Sequence, residues 1–266
     1  MNHAAVRTSS EGSGRHRPEV VTCFGAGGAF GIGFNMGVAR ALIEAGIPLT
    51  SGPMLGTSAG AWTAAALAVG AGLDDIRAAW TNAPRSGKAR VIEITRPLFG
   101  YARDARVSTM AIGFPVPYPV VLSGSDHDLA DLVAASSSPP RVASPHRIGG
   151  RRYIDAGVLT TTSAHRAPPA DLLVVVAPMA GPVLGRVGAY SARMVAVELM
   201  RWRIRGGHVL FVRPNRAVGA LAGRRASDSL DPARAEPTYR AAYELGARCA
   251  ERYWAKHSQP GHGTTV

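Results

Sequence analysis

"GTSAGAW", residues 56–62, sets a serine between two glycines where a short apolar run, "PMLG" (53–56), gives way to an alanine-rich run from Ala59 to Val69. The first run reads as a strand and the second as a helix, so Ser58 stands on the turn between them. Glycines at 56 and 60 permit strained backbone angles and close approach of the neighbouring elements, and a hydroxyl held there projects from the edge of a sheet. The N–H of Ala59 opens the helix, lacks an intrahelical acceptor, and lies at the positive end of the helix dipole, where it can meet an oxyanion. The string also admits a plainer meaning, a tight turn in a chain with 31 glycines. The rest of the sequence decides between the two.

A similar unit precedes it. In "EVVTCFGAGG" (19–28) an apolar strand, Val20 to Phe24, runs into glycines, and from Gly33 the residues Met36, Val38, Ala39, Leu42 and Ile43 recur at helical steps up to a C-capping Gly46. If the two strands are parallel neighbours, the amides of Gly27 and Gly28 come to lie beside Ser58 at the carboxyl edge of the sheet, each such donor being worth about 3 kcal/mol to a developing oxyanion. A dinucleotide site is the competing meaning. It fails on several counts: position 30 is Phe where the last glycine of G-x-G-x-x-G would stand, Gly31 to Gly37 fall inside the helix, Glu44 is helical, and there is no Walker lysine.

Further on, "VIEI" (91–94) and "PYPVVL" (117–122) read as strands around a loop in a Pro-, Gly- and Arg-rich region, 84–125. "DHDLADLVAASSSPP" (126–140) reads as a helix with an acidic start and a proline stop. "HRIGGRRYIDAG" (146–157) reads as a hairpin turning at Gly149-Gly150. "DLLVVVAP" (171–178) has the continuous apolar character of a central parallel strand. A long helix from about Ala189 to Arg205, the strand "HVLFVRP" (208–214) and a last helix from about Pro232 to Trp254 complete the pattern. Alternating strands and helices predict an α/β fold, a three-layer α/β/α sandwich around a mainly parallel central sheet. Residues 1–18 are expected to form a disordered polar leader, 19–256 one domain, and 257–266 a flexible tail.

Ser58 needs a base. Ser58, Asp155 and His208 satisfy the Ser, Asp, His chain order of α/β-hydrolases, but His208 begins a strand and so belongs at the wrong end of the sheet. Asp155 ends the returning strand of the hairpin, and Gly157 lets the chain turn away, which presents the carboxylate directly to a hydroxyl. An aspartate in water is a weak base for serine, with a pKa near 4; desolvation beside apolar walls would raise it.

The net charge is +12, with only Lys88 and Lys256 as lysines among 30 basic residues. Attraction to an anionic membrane surface follows from such a charge, and the Arg-rich segment 186–225 is where it would be sought. Nucleic-acid binding is not expected, because zinc-ligand spacings and aromatic-plus-basic platforms are missing from the sequence. Cys23 and Cys249 read as free buried thiols. With no signal-peptide pattern and no run of roughly 18 apolar residues, the expected location is cytoplasmic, peripheral to a membrane at most.

Three ordered motifs, "AGGAFG" (26–31), "GTSAG" (56–60) and "DAG" (155–157), with "ASSSPP" (135–140) and "GGRRYIDAGV" (149–158) in support, resemble the patatin-like phospholipase family over about residues 20–178. The resemblance implies a patatin-like catalytic domain and a Ser58–Asp155 dyad cleaving acyl esters of lipids through an acyl-enzyme, with neither metal nor organic cofactor. It also implies an oxyanion hole from the amides of Ala26, Gly27, Gly28 and Ala59, and motif glycines at Gly31, Gly56, Gly60 and Gly157. The chain departs from the family pattern at Ala26, where the loop's first glycine is usual, and at Phe30, where a basic residue is usual. Phe30 is accordingly expected to line an acyl-chain pocket. Those two departures also motivate an alternative, a lipid-binding or regulatory protein without hydrolytic activity on the same fold.

Overall fold

The computed structural model describes residues 18–83, 90–204 and 207–257, so the expected leader and tail lie almost wholly outside the described residues. Eight strands share one sheet: β1 (Val20–Phe24), β2 (Met54–Thr57), β3 (Val107–Phe114), β4 (Tyr118–Ser123), β5 (His146–Ile148), β6 (Arg151–Asp155), β7 (Leu172–Val176) and β8 (His208–Val212). The helices are α1 (Gly28–Glu44), α2 (Ala59–Val69), α3 (Leu73–Thr81), α4 (Ile92–Phe99), α5 (Leu129–Ser136), α6 (Arg186–Ile204), α7 (Arg216–Ala220) and α8 (Ala235–His257). Strands β3, β2, β1, β7 and β8 run parallel in that order, and β4, β6 and β5 add antiparallel ladders. The fold is the expected α/β/α sandwich.

One sheet face packs against α1, α2, α5 and α8 in the main core. The other is covered by α6, whose Val195, Leu199 and Trp202 lie over Val21, Cys23, Leu173 and Val175. Helix α1 is buried nearly all round. A helix apolar on every side belongs between two layers, and α1 lies between the sheet and α8, with Trp254 Nε1 donating to the Ala45 carbonyl at 2.8 Å near its end.

The register on β3 decides which residues of β2 and β6 meet. β2 pairs with the first half of β3 and ends with Thr57 opposite Met110. β6 pairs with the second half, in the opposite direction, and ends with Asp155 opposite Ala111. Because β4 occupies the other edge of β3 from Ser108 to Gly113, β2 and β6 must share one edge and meet end to end. Thr57 and Asp155 thus face consecutive residues of one strand.

One sequence expectation is corrected here, and one strand is added to those expected. "VIEI" belongs to α4 and not to a strand: Val91, Thr95 and Phe99 recur every four residues and are all buried, the signature of one helix face. β3 itself, "VSTMAIGF", was not anticipated, because its Ser, Thr and Gly residues dilute the apolar alternation by which a strand is recognised.

Gly60 is fixed by close packing: a Cβ there would land on the carbonyl of Phe24 at the end of β1, and backbone cannot yield as a side chain can. Gly60→Ala should therefore lower stability by about 3 kcal/mol or more in urea unfolding. Gly72→Ala, at an open position with φ −97° ahead of α3, should cost less than about 1 kcal/mol.

Candidate active site

Ser58 links β2 to α2 with φ 52° and ψ −112°. A non-glycine residue there carries strain of roughly 1–3 kcal/mol, tolerated only where surrounding structure imposes it. Three consecutive serines at the end of α5 impose it. The Ser58 N–H donates to Ser136 Oγ at 2.8 Å, and that hydroxyl donates to the Met110 carbonyl at 2.7 Å. Ser137 Oγ donates to the Ser58 carbonyl at 3.1 Å, and the Asp155 N–H donates to the Ser138 carbonyl at 3.0 Å. The serine run thus ties both sides of the junction to β3.

Across the junction Ser58 Oγ donates to Asp155 Oδ2 at 2.6 Å, and both residues are buried. The other carboxylate oxygen, Oδ1, accepts from the Gly157 N–H at 2.6 Å, which fixes the rotation of the carboxyl group. Among the described residues no histidine bonds to either side chain. His146 is held by Asp131, His165 by Glu198, and His208 sits at the start of β8 with its ring edge-on to His257. Burial pushes the Asp155 carboxyl up to about 6, against the opposing hydrogen bonds from Ser58 and Gly157. The carboxylate gains basicity because it has lost water and, among the described residues, no cation stands beside it.

Helices α1 and α2 both start at this point, and Gly28, Ala29, Ser58 and Ala59 line the same cavity. The first amides of a helix have no intrahelical acceptor and carry the positive end of the dipole, and Gly28 and Ala59 stand at that position on the cavity wall. Ala26 does not join them. Its N–H donates to the Thr161 carbonyl at 2.7 Å, which removes it from the expected oxyanion set. The glycine loop is held further by Asn35, fully buried, whose Nδ2 donates to the Gly25 carbonyl at 2.8 Å. Thr161 belongs to a segment fastened by buried Glu198, which accepts from Thr162 Oγ1 and the Ala164 N–H, both at 2.8 Å. Gly31 packs with Ala59, and Gly157 packs between Ala26 and the Asp155 carboxylate.

The cavity measures about 320 Å³. Apart from Ser58, Asp155 and Ser137 its walls are largely apolar, with Ile32, Trp62, Trp80, Ile94, Val142 and Leu230 prominent. Phe30 is not among them, which corrects the expectation of an acyl-pocket role. Its ring is fully buried on another side of α1, with Met179, Val183 and Ala222, and stacks on Phe34 at 6.3 Å.

Ser136 and Asn35 carry positional roles that the sequence did not disclose: the serine run counted only as part of a resemblance, and a lone Asn inside an apolar helix gives no pattern. Glu44, whose helical placement counted against a dinucleotide site, is bonded by Arg40 and by the Tyr243 hydroxyl, each at 2.5 Å.

No protein-family model matches the chain, and no curated protein matches it by sequence. Among solved structures, VipD from Legionella pneumophila is similar over 89% of this chain and 67% of that one, at 13% identity and a TM-score of 0.47.

Because burial raises the Asp155 carboxyl, its neutral form favours the fold; that contribution is complete below about pH 4 and is lost as the pH rises through 6. At pH 8 the ionised group then costs about 3 kcal/mol. Asp155→Asn should stabilise the protein by about 2–3 kcal/mol at pH 8, the gain shrinking toward pH 4, as read from urea midpoints at both values. Equal or lower stability at pH 8 would contradict it.

Proposed function

We propose that the protein is a lipid acyl-ester hydrolase of the patatin type, with Ser58 as nucleophile and Asp155 as its base. The observation that carries the reading is the direct 2.6 Å bond between the two side chains at the head of an apolar cavity. A serine hydroxyl becomes an effective nucleophile when a base within hydrogen-bond reach takes its proton as it attacks. A buried carboxylate titrating near 6 suits that task at neutral pH better than an ordinary aspartate.

The steps balance on these residues alone. Ser58 Oγ attacks the ester carbonyl as its proton passes to Asp155, and the amides of Gly27, Gly28 and Ala59 receive the oxyanion. When the tetrahedral intermediate collapses, the ester C–O bond breaks, the protonated Asp155 delivers its proton to the departing alcohol, and an acyl-Ser58 ester remains. Water then gives a proton to Asp155 and attacks the acyl carbonyl; Ser58 leaves with that proton and the fatty acid is released. The cavity volume lies at the lower end of the ligand range, ~300–1,000 Å³, which suits one short or medium acyl chain. At the mouth Val142 and Leu230 are 53% and 44% exposed. Together with exposed Arg141, Arg224 and Arg225 they would rest on an anionic lipid surface. The alternative, lipid binding without hydrolysis, predicts that a fluorophosphonate probe leaves Ser58 unlabelled.

Purified protein should cleave medium-chain nitrophenyl esters or a lysophospholipid, and a fluorophosphonate probe should label Ser58 stoichiometrically. Ser58→Ala and Asp155→Ala should each reduce kcat on the order of 10³-fold or more. Ser58→Ala with wild-type activity ends the proposal. A pH profile supplies an independent check: log kcat/KM should fall with unit slope below about pH 6, where Asp155 becomes protonated.

A further inference from the structure

Away from Ser58, where β8 forms the edge of the sheet, lies a larger cleft of about 770 Å³. It is bounded by the turn after β7, the start of α6, the end of β8 and the 245–252 stretch of α8. Three arginines reach it: Arg213 just beyond β8, and Arg248 and Arg252 one helical turn apart on α8. No Asp or Glu is among the described residues that line it. The arginines are only lightly engaged. Arg213 Nη1 makes a long 3.5 Å bond to the Ala180 carbonyl, Arg252 Nη2 approaches Cys249 Sγ at 3.3 Å, and Arg248 lies 3.9 Å from exposed Glu244 on its own helix. Phe211 and Leu245 supply apolar wall, and Asn215 adds a polar side chain.

All three side chains are exposed, and the guanidinium fork matches phosphate oxygens in pairs, so three of them around one concavity suit an anion that carries several charges. A single carboxylate would satisfy one arginine and leave two. We propose that this cleft is a binding site for a phosphate-bearing anion carrying two or more negative charges, its apolar walls receiving the body of the ligand. The site is separate from the dyad: going along the sheet from Ser58, which follows β2, one crosses β1 and β7 before reaching β8. It does not rest on the hydrolase reading.

The test uses the full chain at 0.15 M salt. Isothermal titration with inorganic pyrophosphate should show saturable 1:1 binding, unchanged in Ser58→Ala. The double variant Arg248→Ser/Arg252→Ser, at exposed positions, should weaken it at least tenfold. A control that removes the same charge from the outer face of α6, Arg193→Ser/Arg201→Ser, should change it less than twofold. Co-sedimentation with phosphatidic acid vesicles identifies the source of the phosphate: loss of vesicle binding in the cleft variant alone, without pyrophosphate binding, assigns the site to a lipid headgroup. Equal loss in both double variants, or binding to neither probe, overturns the proposal.

Discussion

One strand serves as a common rail for two others, and the site depends on it. β2 and β6 come to β3 from opposite directions along the same edge and stop at Met110 and Ala111. Adjacent residues of a strand lie about 3.8 Å apart, so whatever follows β2 meets whatever ends β6. Ser58 follows and Asp155 ends, though 97 positions separate them in the chain. A slip of one residue in either ladder would send that strand's side chains to the opposite face, and the pair would part. Backbone register, set by many hydrogen bonds, therefore positions two side chains more firmly than their own contact could.

Such a junction leaves polar backbone groups exposed where both ladders end, and buried polar groups need partners. The serines at 136–138 meet that need. Short hydroxylated side chains can reach a neighbouring main chain without filling the cavity, so one run bonds the Ser58 amide, the Ser58 carbonyl, the Met110 carbonyl and, through its own backbone, the Asp155 amide. Among the described residues the carboxylate itself is left with two donors and no cation. An arginine beside it would have stabilised the charge and lowered its basicity. The arrangement gives up folding stability and keeps a carboxyl whose pKa is raised.

Much of this was legible in residue order. The glycine–serine–glycine turn, the earlier strand-glycine-helix unit and the Gly149-Gly150 hairpin could each be located, because glycine at a turn and periodic apolar residues are local signals. The partnership of Ser58 with Asp155 could be anticipated from residue types, but the reason they touch could not. That reason lies in β3, whose "VSTMAIGF" reads weakly as a strand, and in a register set by tertiary pairing. "VIEI" misled for a related cause: four residues fit either period, and burial of Val91, Thr95 and Phe99 resolves it only once α4 has a surface to pack against. The commitment of the Ala26 amide to Thr161 likewise depends on a loop more than a hundred residues away.

The two departures in the glycine loop, Ala26 and Phe30, bear on one problem: holding the first amides of α1 in place. A cation at position 30, fully enclosed in this fold, would carry the desolvation penalty of a buried charge. Phe30 holds α1 by packing. Its ring is enclosed by Met179, Val183 and Ala222 and stacks on Phe34, so α1 is joined to the turn after β7 by apolar contact. Ala26 adds a main-chain bond to Thr161, whose segment Glu198 anchors from α6. One amide is withdrawn from the set facing the cavity, and the remaining loop is fixed from both sides. The turn after β7 that covers Phe30 also leads into the wall of the arginine-lined cleft at Ala180 and Gly181. Order in that turn is therefore shared between the cleft and the loop that faces Ser58.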